Sequence, residues 1–211
     1  WQQNTENTTA QKNNSVLVQQ DSNRVNTLGF VADVTSAFSK IWSANSGVEY
    51  YHDNVSSSRF VITSGNSAAP LEKRGLYPDG STMTSLAGFT INTIDLGNWI
   101  FTAGARLNTY VIKVDDEVLG EIKLTPNALV GNMAVLRKLD DASNLFISLN
   151  TGFRAPNIDD LGTLGIVDFR YETPNFNLKP ESSFQYQLGY KYNSRKIRGE
   201  IYIYRNQLYN L

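Results

Sequence analysis

Cysteine is absent from the 211 residues, which excludes a disulfide framework, a thiolate metal site and a cysteine nucleophile. Histidine occurs once, as His52, with no second imidazole or thiol to converge on a metal or a reacting group. No apolar run reaches about 18 residues, so a transmembrane helix is excluded. The opening WQQNTENTTAQKNN lacks the basic start and apolar middle of a signal peptide, and an exported parent would carry its signal upstream of Trp1. Neither charge sign dominates: the formal net charge is −1, which gives no basis for binding nucleic acid or another polyanion. With 41% hydrophobic and 18% charged residues and a mean hydropathy of −0.32, the chain is too apolar for disorder and too polar for a helical membrane protein.

What is present is aromatic residues, glycine and period-two patterning. In SSFQYQLGYKYN, Phe184, Tyr186, Leu188, Tyr190 and Tyr192 alternate with Ser183, Gln185, Gln187, Gly189 and Lys191. Trp99, Phe101, Ala103, Ala105 and Leu107 oppose Thr102, Gly104, Arg106 and Asn108 in the same way. Leu28, Phe30, Ala32 and Val34 oppose Thr27, Gly29, Asp33 and Thr35, and Leu145, Ile147 and Leu149 oppose Ser148 and Asn150. Strands are expected near 25–38, 41–55, 81–95, 99–114, 121–138, 144–154, 183–193 and 197–208, with an extra one at 15–21.

The connections sort by length. Short turns fall at Ser39–Lys40, Asp95–Asn98, Leu139–Ser143 and Asn193–Lys196, and long links at 56–80, about 115–120 and 155–182. A soluble sandwich has no reason to place all its tight links at one end, whereas an outer-membrane barrel does. Several strands also exceed the 5–6 residues usual in soluble sheets. Trp42, Trp99, Phe38, Phe146, Tyr192 and Phe101 sit beside the short turns, where an interfacial aromatic girdle belongs. The expected fold is therefore all-β: an antiparallel up-and-down transmembrane β-barrel, in part, with about eight or nine strands. Residues 1–24 are expected to be a polar extracellular loop or strand remnant, and 25–211 the barrel segment. The rival is an ordinary sandwich with one apolar core face.

One stretch, GFRAPN, ends a strand, and NFNLKPESSF opens the next after more than twenty residues. Pro156 has no N–H and disfavours helix at Ala155, so the ladder stops there; Pro180 biases Lys179 towards an extended entry. Arg154 and Glu181 face each other across the loop and are expected to pair.

The order strand, GFRAPN, long loop, NFNLKPESSFQYQLGYKY resembles the late-barrel region of TonB-dependent outer-membrane receptors. The matching box residues are Phe153, Arg154, Ala155, Pro156, Asn175, Asn177, Leu178, Pro180 and Glu181. RGLYPDGSTMTSLAGF followed by NWIFTAGARLNTY is similar to the segment before those boxes. The resemblance covers roughly residues 25–208. It implies a larger barrel plugged by an N-terminal domain that this chain does not contain, hence a fragment, and a location in the bacterial outer membrane in contact with its lipid. It also implies a TonB-type energy-coupling protein as partner and uptake of an iron chelate such as a siderophore, or of another scarce nutrient, without enzymatic chemistry or a cofactor. Two alternatives remain open: a haem receptor of the same family, and a small structural or adhesive barrel without transport. For haem, Asn157 to Pro174 holds no histidine, Tyr171 is the one candidate ligand there, and Phe176 stands where the box has proline.

Cationic and aromatic loop residues, Arg74 and Tyr77, then Arg170 and Tyr171, are the candidate ligand contacts, suited to an anionic planar chelate. Arg106, Asn108, Gln185, Gln187, Lys191, Arg198 and Glu200 are expected to face the lumen. The acidic pairs Asp115/Asp116, Asp140/Asp141 and Asp159/Asp160 read as solvated turn formers.

Overall fold

The computed structural model describes residues 1–11, 15–63, 69–116, 120–167, 170–175 and 177–210. The strands are β1 (Gln2–Gln11), β2 (Leu17–Ala37), β3 (Trp42–Thr63), β4 (Leu71–Arg74), β5 (Thr82–Asp95), β6 (Trp99–Asp116), β7 (Gly120–Leu124), β8 (Asn127–Lys138) and β9 (Ser143–Arg154). One helical turn, α1 (Ile158–Gly162), follows, then β10 (Gly165–Val167), β11 (Arg170–Glu172), β12 (Glu181–Asn193) and β13 (Arg198–Tyr209). Nine strands form a continuous antiparallel sheet in the order β1-β2-β3-β5-β6-β8-β9-β12-β13. β4 adds to the far end of β3, and β7 to the far end of β6, while β10 and β11 make a separate hairpin. This is the wall of an open, partial barrel.

Four tight turns close one end of the wall. Phe38 N–H donates to Trp42 O (3.0 Å), Leu96 to Trp99 (2.8 Å), Leu139 to Ser143 (2.8 Å) and Ser194 to Ile197 (2.8 Å). Neighbouring hairpins are tied to one another there, because Asp95 donates to Ile41 O, Lys138 to Asn98 O and Asn193 to Ala142 O, each at 2.8 Å. Most of the aromatic belt expected beside these turns forms, with Trp42, Trp99, Phe101 and Tyr192 on the apolar face; Phe146, paired with Leu136 and Gly189, lies instead on the opposite, polar face. Phe38 and Trp42 lie 4.4 Å apart by ring centroids, Trp99 and Phe101 stack at 6.2 Å, and Arg137 covers Trp99 at 4.5 Å.

Register fixes the two faces, since paired residues share a side. Val48, Gly88, Leu107 and Leu129 make one row, flanked by Phe30, Tyr50 and Leu86. These apolar side chains are exposed, Leu129 at 74%. Glu49, Ala87, Asn108 and Asp33, Gly47, Phe89, Arg106 occupy the opposite face. An apolar surface of this extent has no place in water. With every interior strand paired on both sides, it satisfies what hydrocarbon demands of a backbone.

Three strand expectations change in detail. The windows 15–21 and 25–38 are one 21-residue strand, β2, and β3 continues to Thr63. Residues 2–11 form β1, whose sequence, polar but for Ala10, carries no hydrophobic alternation; backbone pairing with Val18–Thr27 supplies the strand instead. The window 121–138 divides into β7 and β8 at Thr125–Pro126, where proline cannot donate to the ladder.

Candidate functional site at the outer end of the wall

The end opposite the tight turns is built differently. β2 and β3 run together beyond β5, and β6 runs beyond β5 and β8; the β9–β12 connection folds back against β3 and β6. Its first turn is α1, capped by Asn157: Asn157 Oδ1 accepts from Asp160 N–H (2.8 Å), and Asp160 Oδ2 accepts from Asn157 N–H (3.0 Å). Ile158 and Leu161 of α1 meet Val55 of β3 and Ile112 of β6, giving a small buried cluster packed by Val25, Tyr77, Met83, Leu124 and Leu178. Gly162 allows the close approach of the preceding loop, because a Cβ there would lie 2.4 Å from Pro78 Cγ. Leu164 N–H to Leu76 O (3.2 Å) completes the contact between the two connections.

Arg74 clamps this junction. Its Nε donates to Asp116 Oδ2 (2.7 Å), Nη1 to the carbonyls of Gly75 and Leu76 (3.1 and 3.3 Å) and Nη2 to Gly162 O (2.9 Å). The guanidinium expected to meet ligand thus holds three loop segments together, and it lies outside the cavity described below. The box residues gather as a second joint. Arg154 and Glu181 are paired in register, and Arg154 donates to Glu181 Oε1 and to both carboxylate oxygens of Asp160 at 2.8 Å. Arg154, Pro156, Asn177, Leu178 and Glu181 surround a cleft of about 320 Å³, while Ala155 is buried beside it. Asn175 N–H bonds to Leu161 O (3.1 Å), and Pro180 O accepts from Asn210. Phe176 and the aromatic it contributes lie outside the described residues.

Beneath α1 lies a cavity of about 440 Å³ between β1, β2, β3, β5 and the helix turn. Val25, Val55, Met83 and Ile158 give it an apolar floor; Asn4, Asn23, Asn157, Glu6, Asp53, Asp159 and Tyr77 give it polar groups. Tyr77 N–H donates to Ser57 Oγ (3.1 Å), and Ser57 Oγ–H donates to Asn23 Oδ1 (2.7 Å), so a short relay fixes the wall of the cavity. Burial, followed by the charges of Asp159, Glu6 and Glu172, pushes the Tyr77 phenol up to about 12. Of the two ligand candidates whose side chains are described, Arg74 and Tyr77, it is Tyr77 that lines this cavity. Arg170 and Tyr171 pair through the backbone with Val167 and Ile166 in the β10–β11 hairpin. His52 stands on the exposed apolar face, its Nδ1 2.9 Å from Thr84 Oγ1.

Sequence reasoning missed Asn23, Asp53, Glu6 and the α1 residues. The Asn157…Asp160 capping box was a visible signal for α1; nothing local marks the other three as neighbours.

Further down the polar face, Arg106 donates to both Glu49 oxygens (2.8 and 2.7 Å) and to Asn108 (2.7 Å), as expected of lumen residues. Lys191 sits 5.9 Å from the rings of Phe146 and Tyr202, which flank Gly189 so closely that a Cβ would lie 2.1 Å from Phe146.

A long-stranded wall, apolar on one side and polar on the other, with turns at one end and packed loops at the other, defines a membrane β-barrel. The family model for the TonB dependent receptor-like β-barrel matches residues 1–211, and the chain belongs to that family. Among solved structures the chain is similar to the copper transporter OprC (TM-score 0.71, 16% identity, 91% of this chain and 31% of that one). It is also similar to the unliganded ferric citrate transporter FecA (0.65, 18%, 98% and 30%). The hemophore receptor HasR of Serratia marcescens, solved as a double mutant with its hemophore HasA and heme, gives 0.69 at 14%, with 91% and 34% covered. The chain thus spans about a third of the length of these structures. A search of curated proteins finds no match.

Proposed function

We propose that this chain is the wall segment of an outer-membrane receptor that takes up an iron chelate, or a comparable scarce nutrient, using energy delivered by a TonB-type partner. The cavity of about 440 Å³ under α1 carries the reading. It lies at the loop end of a wall belonging to this family, and its size falls within the roughly 300–1,000 Å³ of small-ligand sites. Tyr77 is its principal aromatic contact. Arg170 and Tyr171 on the β10–β11 hairpin are further contacts in this reading, and Arg74 serves them by holding the loops. The polar face below, with the Arg106–Glu49 pair, lines the passage, and the apolar face meets outer-membrane lipid. Transport here is binding and conformational release, without covalent chemistry.

The test is accumulation of ⁵⁵Fe-labelled chelates by iron-starved cells carrying or lacking the full-length gene. Loss of uptake on deletion, and on collapse of the proton gradient with a protonophore, is the expected result. Unchanged uptake of every chelate offered would overturn the reading.

A further inference from the structure

The outward residues of β6 run from Phe101 through Ala103, Ala105, Leu107 and Thr109 to Val111. At roughly 3.3 Å per residue and a tilt near 40°, they climb about 25 Å, the height of the apolar band on an outer-membrane barrel. Trp99 lies one outward step below that band, beside the tight turns, and register sets Arg137 of β8 opposite it on the same face. Arg137 therefore stands where hydrocarbon gives way to headgroups.

Arg137 is exposed, and its guanidinium carbon lies 4.5 Å from the centroid of the Trp99 ring. That contact restrains the side chain without using its N–H donors. β6, β8, β9 and the turns before and between them are described throughout, and Arg137 has no ion pair there. Two carboxylates of those turns are engaged elsewhere: Asp95 accepts from Gly97 N–H (2.8 Å), and Asp140 from Ala142 and Ser143 N–H (2.7 and 2.8 Å). The Trp99 indole N–H also meets no acceptor among the described residues, whereas Trp42 donates its own to Asn92 Oδ1 (3.1 Å). One step towards the middle of the band, Phe101, Val135 and Ile147 make an apolar row, with Phe101 and Ile147 exposed.

We propose that Arg137 and Trp99 bind the phosphodiester of an anionic phospholipid, of the phosphatidylglycerol class, in the leaflet at the turn end. The inference goes beyond uptake and rests only on the reading that the apolar face meets lipid. Arg137 donates to the phosphate oxygens, where its planar fork gives paired charge-assisted bonds. The Trp99 N–H is a further donor, and an acyl chain lies along Phe101, Val135 and Ile147. A headgroup with its own ammonium cancels the charge that Arg137 meets, so the net-anionic lipid is preferred.

The experiment loads the full-length receptor, purified in a non-ionic detergent, with equimolar phosphatidylglycerol and phosphatidylcholine of one chain length. Native mass spectrometry then counts the lipids retained. The wild type is expected to keep phosphatidylglycerol about tenfold in preference, the effect of one well-placed charge pair. Arg137→Ala should abolish that preference, and Arg137→Lys should keep part of it, since an ammonium retains the charge and loses the fork. Trp99→Phe, which keeps a ring and removes the N–H, should lower retention by a smaller factor. The lysine variant keeps the experiment informative if the alanine variant fails to insert. Equal retention of the two lipids by the wild type overturns the inference, as does an unchanged preference in Arg137→Ala. Displacement of the bound lipid by millimolar inorganic phosphate assigns the site to the free ion and overturns it too. A receptor that stays in solution without detergent brings down the lipid-facing wall and this site together. Failed chelate uptake with the lipid preference intact brings down only the proposed function.

Discussion

The two ends of this molecule are held together by different physics. At the turn end, order comes from the backbone: consecutive hairpins, each closed by a short N–H···O bond and tied to the next, with an apolar face turned outward. At the loop end, order comes from side chains: Leu161 and Ile112 at 0% and 1% exposure, the Arg74 clamp and the Asn157 cap. A wall that faces lipid has little use for a core, because hydrocarbon is as apolar as leucine. Loops that face water and must keep a cavity open need one.

The largest expected effect contrasts the same substitution at the two ends. Leu161→Ala should destabilise the loop cluster by about 3 kcal/mol, since it leaves a void. Leu107→Ala, on an exposed apolar row at 55%, should cost less than about 1 kcal/mol because lipid refills the space. Hydrogen exchange of α1 and β6 amides in the full-length protein would check both; equal effects would erase the distinction. Next, Arg74→Ala should cost about 2 kcal/mol at the junction by removing an ion pair and three carbonyl contacts. Arg74→Lys should recover only part of it, because an ammonium lacks the planar fork. Protease sensitivity of the β9–β12 connection reads this directly.

Gly162→Ala pushes a methyl into Pro78 and should cost about 1 to 2 kcal/mol by overpacking, visible as faster exchange at Leu164. Arg154→Ala, at a box residue whose side chain is 51% exposed, should cost less than about 1 kcal/mol despite its three short bonds. The most local effect is the Tyr77 titration. A folded-state phenol pushed up from 10.0 to about 12 retains its proton where the unfolded chain has lost it. Its stabilising contribution is therefore complete below pH 10 and disappears as pH climbs towards 12. The 295 nm difference titration of wild type against Tyr77→Phe should show one phenol ionising near pH 12; a difference centred at 10 would contradict the buried setting.

Legibility followed the same division. The rows Leu28–Phe30–Ala32–Val34 and Trp99–Phe101–Ala103–Ala105–Leu107 announced the wall, because alternation against lipid is written residue by residue. β1 was not legible, since QQNTENTTAQ has no apolar row and is a strand only through its partner. At the candidate site, Tyr77 was legible as an aromatic near a turn, and Arg154 and Glu181 as opposing strand ends. Arg74 looked like a ligand contact because an unpartnered arginine in sequence looks available; the structure gives it Asp116, 42 positions away.

By itself, then, the sequence determined the strand period, the turn end, most of the aromatic belt and the family boxes, all of them local or periodic facts. Tertiary structure alone decided which side chains meet at the loop end. It folds α1 onto β3 and β6, spends Arg74 on a carboxylate and carbonyls, and brings Glu6, Asp53 and Asp159 to one cavity. The reason is that such meetings depend on distances between residues far apart in the chain, and no window of sequence contains those distances.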